Sequence, residues 1–390
     1  MFTKPKRVRE VPPYIFETIN QKKKQLIEAG IDVIDLGIGC PDLPTPPHIV
    51  TRLIEEMGDD RNFKYSTYRG CDEFREAVAA FYRKRFDSVL DPKTDVLTLI
   101  GSKEGLGHLI PAVIDPGDIV LIPNPGYPVY GTAVHLSGGI VYDMPLLKEN
   151  QFRPDFSSIP SEVADKAKLM ILNYPGNPTA ATVDLSFFES AVAFAKENDI
   201  IIAHDAAYQM VTFDGYKAPS ILQVKGAMEV AVEFGSLSKT YNMTGWRIGY
   251  AVGNKDVLDS LLVVKSNLDT GQFLPIQKAG ATALTSEQQC VEAYNSIYKE
   301  RMEAVLGALW SIGIEAEPPR GSFFIWAAVP SGYDSQKFAE RILEQAGVVV
   351  TPGTAFGKYG EGYFRLSLSV PTEKLKEAMH RLKANIATIV

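Results

Sequence analysis

Cysteine is scarce in this sequence, which has only three in 390 residues. Cys40, Cys71 and Cys290 are odd in number, lie far apart and form no Cys-x-x-Cys pair. This pattern argues against a disulfide framework and against a cysteine-rich zinc site. So few unpaired cysteines are typical of a reducing compartment, and we expect the protein to be cytoplasmic.

Long apolar runs and an excess of positive charge are also missing. No stretch of about eighteen residues is apolar and uncharged throughout, so the sequence predicts no transmembrane helix. The basic N-terminal stretch MFTKPKRVREVPPY has no apolar core of the kind that a signal peptide needs. Forty basic and forty-seven acidic residues give a net charge of −7, which disfavours nucleic acid and anionic membrane as partners.

The composition is that of a globular protein, and strands alternate with helices along most of the chain. With 45% apolar and 22% charged residues, the sequence supports a sizeable core and two or three domains. Short β-rich runs are predicted at 96–100, 119–122, 168–172, 200–203 and 230–234. This pattern predicts an α/β fold with a mostly parallel sheet and helices on both faces. The run 246–252 follows 230–234 too closely for a crossover helix, so it is expected to be antiparallel.

The last hundred residues predict a smaller α+β domain. A long charged helix over about 287–309 is followed by strands and helices in mixed order, ending in a helix from Thr372. The early strand-like run 33–39 is expected to fold with this part. The expected division is an N-terminal arm and part of the small domain over 1–48, a large domain over 49–286, and a small domain over 287–390.

Polar residues follow several predicted strands, at the edge where open parallel sheets bind ligands. Ser102 and Lys103 begin a helix whose N–H groups suit a phosphate, although an ordinary N-cap beside a solvated lysine is the alternative. Asn177 lies in the rigid turn 173–179, which equally fits a plain turn. Asp205 ends an apolar strand and needs a cationic partner, either a basic side chain or a protonated ring nitrogen.

The segment after 230–234 adds an amine and further anion-binding groups. Ser236, Ser238 and Arg247 suit a phosphate monoester and leave the amine of Lys239 available, although a lysine beside two hydroxyls is often only a surface residue. With the phenol of Tyr208, the strand ends supply the set of groups that pyridoxal 5′-phosphate requires. An amine forms a Schiff base with its aldehyde, and a carboxylate keeps its pyridine nitrogen protonated.

Six motifs occur in a fixed order along the chain: GSKEGL, NPGYPVY, NYPGNPT, HDAAY, SLSKTYNMTGWRIGY and FRLSLS. In these motifs the chain resembles the class I/II aminotransferases, which are fold-type-I pyridoxal phosphate enzymes, from about residue 30 to the end. The resemblance implies a seven-stranded, mostly parallel sheet with helices on both faces and a smaller α+β domain. It also implies a transaminase that uses pyridoxal 5′-phosphate and acts on amino acids and 2-oxo acids.

The resemblance implies cofactor-binding roles for the residues that match the motifs. Lys239 matches the catalytic lysine that forms the Schiff base, and Asp205 matches the carboxylate paired with the pyridinium nitrogen. Tyr208, helped by Asn177, matches the group near the ring O3′, and Tyr127 matches the aromatic residue stacked on the ring. The residues that match the phosphate-binding cup are Ser102, Lys103, Ser236, Ser238 and Arg247.

The resemblance also implies substrate contacts and a subunit partner. Arg365 matches the arginine that binds the substrate α-carboxylate, a suitable role for a planar bidentate cation, with Asn177 beside it. Gly39, in LGIGCPD, matches the glycine whose backbone faces the substrate. Tyr65 matches the tyrosine that reaches the phosphate of the neighbouring subunit, which implies a homodimer with shared active sites.

Two stretches indicate a substrate. SLSKTYNMTGWRIG and VKSNLDTGQFLPIQKAG are most similar to the bacterial LL-diaminopimelate aminotransferases, which exchange nitrogen between glutamate and tetrahydrodipicolinate in lysine biosynthesis. Those enzymes usually read DSG in the second stretch, whereas Thr270 replaces the serine here. Lys103, Tyr14 and the N-terminal arm are candidates for contacting the distal end of such a substrate.

Other functions remain open at this point. Alanine-, aspartate- and methionine-type aminotransferases share much of these motifs, and a pyridoxal phosphate carbon–sulfur lyase would keep the cofactor but change the reaction. A non-catalytic regulator that binds the cofactor is a third hypothesis. It is disfavoured by the acidic charge, by the lack of a helix-turn-helix pattern and by the intact Lys239 and Arg365.

Overall fold

The structure is a computed structural model that describes residues 2–11 and 15–389. In chain order the strands are β1 (Ile34–Asp35), β2 (Val96–Leu99), β3 (Ile119–Asn124), β4 (Ile140–Pro145), β5 (Ala167–Asn173), β6 (Ile201–Asp205), β7 (Ala231–Ser236), β8 (Gly249–Gly253), β9 (Phe324–Ala328), β10 (Val348–Val349), β11 (Thr351–Pro352) and β12 (Tyr363–Ser367). The α-helices are α1 (Lys6–Arg9), α2 (Ile15–Glu28), α3 (Pro47–Met57), α4 (Asp72–Phe86), α5 (Ser102–Val113), α6 (Val129–Leu136), α7 (Ser161–Ala164), α8 (Leu185–Glu197), α9 (Ala227–Val230), α10 (Leu237–Thr240), α11 (Lys255–Leu268), α12 (Leu274–Thr285), α13 (Gln289–Ser311), α14 (Ser335–Ala346) and α15 (Thr372–Ile389).

Seven of these strands form one large sheet in the order β2-β8-β7-β6-β5-β3-β4. The pairs β7/β6, β6/β5, β5/β3 and β3/β4 are parallel. β8 runs antiparallel to both of its neighbours, β2 and β7. The predicted α/β fold, its mostly parallel seven-stranded sheet and its antiparallel strand are therefore confirmed.

Helices cover both faces of the large sheet because successive side chains of a strand point to opposite sides. In β5, Leu169 and Ile171 join an apolar cluster that includes residues of α5, α6 and α11. Met170 and Leu172 join a second cluster that includes residues of α4, α8 and α12. Strands that are buried on both faces read as continuous apolar runs, which is the pattern seen in the sequence.

A third apolar cluster lies mainly in the C-terminal part of the chain and also includes two early residues and five residues between 180 and 213. β11, β12 and β9 form an antiparallel sheet beside α13, α14 and α15. Ile34 of β1 pairs with Val348 of β10, and both Ile34 and Leu36 belong to this cluster. The association of the early strand with the C-terminal part is as expected, whereas the domain boundaries at 48 and 286 stay a prediction.

The strand predictions at 246–252 and 33–39 differ from the structure in their extent. The antiparallel strand begins at Gly249 rather than at 246, because Thr244–Trp246 form a 3₁₀ turn and Arg247 has a left-handed φ of +54°. Only Ile34–Asp35 of the predicted run 33–39 is a strand. The residues after it pass beside β12, where Ser367 N donates to Leu36 O at 2.8 Å. Among the described residues, no helix is both long and apolar enough to cross a membrane.

Candidate active site

A cavity of about 600 Å³ lies at the edge of the sheet where β5, β6 and β7 end. Asn173, Asp205 and Ser236 are the last residues of these strands, and each lines the cavity. The N-terminal end of β8 reaches the same edge because β8 is antiparallel, with Ser236 paired to Gly249. Arg247, two residues earlier, therefore also lines the cavity.

The cavity brings together almost every site residue expected from the sequence. Those that line it are Gly39, Ser102, Lys103, Tyr127, Asn177, Asp205, Tyr208, Ser236, Ser238, Lys239, Arg247 and Arg365. Tyr65 is not among the lining residues, and 89% of its surface is exposed. Its expected role concerned a neighbouring subunit, and that role stays a prediction. Tyr14, a candidate for the distal end of the substrate, lies outside the described residues.

Lys239 lies on α10, the one-turn helix that directly follows β7. Its Nζ donates a hydrogen bond to Gly39 O at 2.7 Å. The pKa of Lys239 is lowered to about 8, mainly by burial and in part by the positive charges of Arg365 and Arg247. At pH 7 the amine is therefore neutral in about a tenth of the molecules, far more than for an exposed lysine, and the neutral form is the one that acts as a nucleophile or a proton acceptor.

Asp205 is 6% exposed at the end of β6. The Tyr130 hydroxyl donates to its Oδ2 at 2.7 Å, and Ala207 N donates to its Oδ1 at 3.3 Å. Burial raises the pKa of Asp205, while the Tyr130 hydrogen bond acts against that rise. Among the described residues, no cation forms an ion pair with this carboxylate, so a buried negative charge is presented to the cavity without a positive partner.

An anion-binding cup is formed where α5 begins. Gly101 precedes this helix with a φ of +77°, and a Cβ there would lie 2.3 Å from Arg247 Nη2. Only glycine therefore lets the guanidinium approach the helix N-terminus, where the backbone N–H groups are unpaired. Ser238 Oγ is buried, and no described residue forms a hydrogen bond with it. Ser236 Oγ already accepts from Ser238 N at 3.2 Å.

Arg365 lies on β12 and is held on two sides. Its Nη1 donates to Asn177 Oδ1 at 2.5 Å, and its Nη2 donates to Gly37 O at 2.5 Å. Its guanidinium carbon lies 4.1 Å from the centre of the Phe324 ring and 4.6 Å from that of Phe356. These contacts hold a planar cation at the cavity wall, in a form suited to a carboxylate.

The two predicted aromatic residues also line the cavity. Tyr208 is buried, with its ring edge-on to Phe323 and Phe324 at 5.3 and 5.4 Å between ring centres. Burial raises the pKa of Tyr208, so its phenol stays protonated at ordinary pH. Tyr127 is half-buried and meets Tyr130 edge-to-face at 5.7 Å.

The groups of this cavity fit pyridoxal 5′-phosphate. Its phosphate matches the cup, where Ser238 Oγ has no described partner. Its protonated ring nitrogen would supply the positive charge that the buried carboxylate of Asp205 lacks. Its aldehyde needs an amine, and Lys239 supplies one with a lowered pKa in the same cavity.

Several residues of the site were not found by sequence reasoning. Tyr130 lies one helical turn after Tyr127 in NPGYPVY, so the i, i+3 spacing was a usable signal. Asn173 stands in NYPGNPT; its Nδ2 donates to Asp205 O at 2.8 Å, and its Oδ1 accepts from Asn177 N at 2.7 Å. Asn20, Thr244 and Phe324 also line the cavity, and no local pattern marks them.

A polar cluster lies beside the first turns of α5. The side-chain ligand atoms of Glu104, His108 and Asp269 are all within 4.8 Å of one another. The ammonium of Lys265, a 1% exposed residue, lies 2.7 Å from Asp269 Oδ1 and 3.6 Å from Glu104 Oε1. Because this lysine already supplies a positive charge, the cluster is explained as an internal ion network that supports α5.

Comparisons with known proteins agree with this geometry. A family profile described as Aminotransferase class I and II matches residues 31–382. The chain is 51% identical to an LL-diaminopimelate aminotransferase of Aquifex aeolicus, over 98% of this chain and 99% of that one. It is 49% identical to an LL-diaminopimelate aminotransferase of Moorella thermoacetica, over 97% of both chains. A substrate-bound BacF structure from Bacillus subtilis superposes with a TM-score of 0.95 at 38% identity, over 98% of each chain.

Proposed function

Because the chain belongs to the class I and II aminotransferases, we propose that it is an LL-diaminopimelate aminotransferase. In this proposal it uses pyridoxal 5′-phosphate to exchange an amino group between glutamate and tetrahydrodipicolinate, a step of lysine biosynthesis. The main support for the reaction type is that Lys239, Asp205 and Arg365 line the same cavity. The observation that carries the substrate is the near-full-length similarity to enzymes of that name.

Each residue of the cavity has a physical task in this reaction. When bound, pyridoxal 5′-phosphate supplies an aldehyde that reacts with amines and a ring that withdraws electrons. Arg365 binds the α-carboxylate of the amino acid, and its fixed guanidinium plane orients the α-carbon. The Nζ of Lys239 accepts the proton that leaves the α-carbon, which its lowered pKa permits.

The remaining residues hold the cofactor. Asp205 would keep a positive charge on the ring nitrogen, and Tyr130 orients its carboxylate. Tyr208 and Asn177 would contact the ring O3′, and Tyr127 would lie against the ring face. The phosphate would bind to Ser102, Lys103, Ser236, Ser238 and Arg247, where the helix N-terminus favours an anion.

The distal end of the proposed substrate carries a second ammonium and a second carboxylate. Lys103 and Asn20 line the cavity, so both are candidates to contact that end.

Gly39 supports substrate binding differently. A Cβ at this position would lie 2.5 Å from Phe324 Cζ, so only glycine lets the backbone pack this closely against the Phe324 ring, which also lines the cavity.

We also infer a homodimer, in which Tyr65 reaches the phosphate of the neighbouring subunit, and a cytoplasmic location. The exposure of Tyr65 supports the first inference, because an exposed tyrosine is available to a second chain. The division into a large domain over 49–286 and a smaller part formed by 1–48 and 287–390 is supported by the pairing of Ile34 with Val348, which joins the early segment to the C-terminal part.

A transamination assay tests the proposal. Holoenzyme is supplied with LL-diaminopimelate and 2-oxoglutarate, and glutamate is measured; alanine, aspartate and methionine are tested as donors in parallel. We expect kcat/KM for LL-diaminopimelate to exceed the others at least about tenfold, since a second charged end gives the site further groups to bind. A preference for alanine or aspartate would contradict the proposed substrate. Release of pyruvate from cystathionine without an acceptor would indicate a lyase.

Two variants serve as controls for this assay. Lys239→Ala should abolish turnover with every donor, because it removes the only lysine on α10. Lys255→Ala removes an exposed lysine of α11 that pairs with Asp259 and does not line the cavity, so its activity should equal that of the wild type. Full activity of Lys239→Ala would overturn the reaction type itself.

A further inference from the structure

A second cavity, of about 460 Å³, shares no lining residue with the candidate active site. Four parts of the chain form its wall: the end of α4 at Arg85 and Phe86, Arg153, the stretch 182–185, and the stretch 216–219. Gln223 and Arg320 complete the wall, the latter from the C-terminal part of the chain. A volume of this size is in the range that binds small metabolites.

The wall of this cavity is strongly basic. Its cationic residues are Arg85, Arg153, Lys217 and Arg320, against one carboxylate, Asp184. Among the described residues, none of the four cations has a carboxylate within 4.0 Å. Asp184 is engaged elsewhere: its Oδ1 accepts from Phe187 N at 3.1 Å and caps α8. The cavity therefore carries an uncompensated positive charge.

Arg85 and Arg153 each present a buried donor that has no partner among the described residues. Arg85 Nε and Arg153 Nε are buried, and no described group forms a hydrogen bond with either. Burial also lowers the pKa of Arg85, which shows the cost of keeping its charge away from water. A buried donor or charge without a partner is costly, so a bound anion would stabilise this arrangement.

Other contacts hold two of the cations in place. Arg153 Nη2 donates to Thr182 O at 3.1 Å, which leaves its Nε and Nη1 for a ligand. The guanidinium carbon of Arg320 lies 4.8 Å from the centre of the Tyr216 ring. The Tyr216 hydroxyl in turn donates to Val183 O at 2.7 Å, so the ring is itself anchored. These two cationic groups are thus ordered before a ligand binds, which favours affinity.

We propose that this cavity binds a small organic anion that carries at least two carboxylate or phosphate groups. Two or more such groups would pair with arginines on different sides of the cavity, where bidentate contacts are strongest. The wall also contains the apolar side chains of Phe86, Leu185 and Pro219, which suit a carbon skeleton. A single inorganic ion would fill little of the volume.

Binding is tested on the holoenzyme, in which the cofactor occupies the phosphate cup of the other cavity. Citrate and inorganic pyrophosphate serve as probes for carboxylate and phosphate recognition, and their Kd is measured by isothermal titration calorimetry at low salt. We expect at least one probe to bind, with a Kd at least about tenfold weaker in Arg153→Gln and Arg85→Gln. The affinity should also fall as salt is added.

Two further variants keep the test decisive. Lys217→Gln changes an exposed side chain of the same wall and is expected to fold normally, so weaker binding in this variant supports the site even if an arginine variant is unstable. Arg83→Gln removes an exposed arginine of α4 that does not line the cavity, and its Kd should equal that of the wild type. The proposal is overturned if neither probe binds, or if all variants bind equally.

Discussion

At the residue scale, the environment of Lys239 decides its chemistry. The side-chain amine of lysine ordinarily has a pKa of 10.5, and burial in the cavity lowers the pKa of Lys239 to about 8. An exposed lysine such as Lys255 has the opposite environment, because its hydrogen bond with Asp259 raises its pKa. Two lysines of one chain therefore differ in reactivity because their surroundings in the folded protein differ.

The first prediction follows from this difference. In cofactor-free protein, the rate of acetylation of Lys239 by brief pulses of acetic anhydride should rise with pH to a half-maximum near 8, because only the neutral amine reacts. Modification of Lys255, measured in the same samples by mass spectrometry, should reach its half-maximum above 10.5. Coincident profiles for the two lysines would contradict the lowered pKa.

The hydroxyl of Tyr130 supports the second prediction. Tyr130→Phe removes the hydrogen bond to Asp205 Oδ2, which raises the pKa of Asp205 further and weakens its negative charge. We expect kcat to fall roughly 10- to 100-fold, the effect of a hydrogen bond to a charged group, while the cofactor still binds. Tyr142→Phe changes a tyrosine that does not line the cavity and should leave kcat unchanged. Equal kcat values for Tyr130→Phe and Tyr142→Phe would contradict the role of Tyr130 in the site.

At the element scale, one buried carboxylate joins β7 to its neighbours. Glu233 of β7 is fully buried and accepts hydrogen bonds from five donors: Tyr82 Oη, His204 Nδ1, Gln209 Nε2, Ser220 Oγ and Ile221 N. Burial opposes the negative charge of Glu233, and the hydrogen bonds outweigh that effect, so its pKa lies below the ordinary value. His204 is thereby fixed beside Asp205, which places a structural network directly behind the site.

Replacing Glu233 with alanine should therefore destabilise the protein. We expect the free energy of unfolding to fall by about 3–5 kcal/mol, because several buried donors lose their acceptor. Since the folded pKa of Glu233 is lowered, its contribution is present above pH 4.5 and is lost as the pH falls through the folded value. Urea denaturation at pH 7 measures the loss, and Glu229→Ala, at an exposed position, should change stability by less than about 1 kcal/mol. An equal effect of both variants would contradict the role of the network.

At the scale of the whole molecule, an exposed apolar surface lies beside Tyr65. Phe63 stacks on Phe273 with 5.8 Å between ring centres, and both are exposed. Gln277 Nε2 donates to Ser66 Oγ at 3.0 Å, which joins the stretch 63–68 to α12. Exposed apolar surface of this kind marks sites of protein association, which supports the proposed homodimer.

Mixed dimers test both the dimer and its shared sites. Light scattering should give twice the mass of one chain. Lys239→Ala and Tyr65→Ala subunits, unfolded and refolded together, should regain activity, because a mixed dimer has one site with both native side chains. With random pairing the activity approaches about a quarter of the wild-type value, since half of the dimers are mixed and each has one complete site. Activity equal to the average of the two separate variants would contradict shared sites.

Much of the fold and of the site was predictable from short stretches of sequence. The strand runs near 96–100 and 168–172 were read from their apolar patterns, and the strand-end residues Asp205 and Lys239 from their positions after such runs. Tyr130 was missed although it stands in a quoted motif, because its hydroxyl acts through Asp205, which is 75 residues away. The contacts of Arg365 with Asn177 and Gly37 join still more distant parts of the chain.

The sequence by itself determined which elements form and which chemical groups stand at their ends, since periodicity and side-chain chemistry are written in short windows. Only the tertiary structure decided how those groups act on one another. The lowered pKa of Lys239, the lack of an ion pair between Asp205 and any described cation, and the basic cavity around Arg153 all depend on burial and on distances between remote residues. No local pattern encodes these quantities, because electrostatic energy is set by the three-dimensional surroundings of a charge.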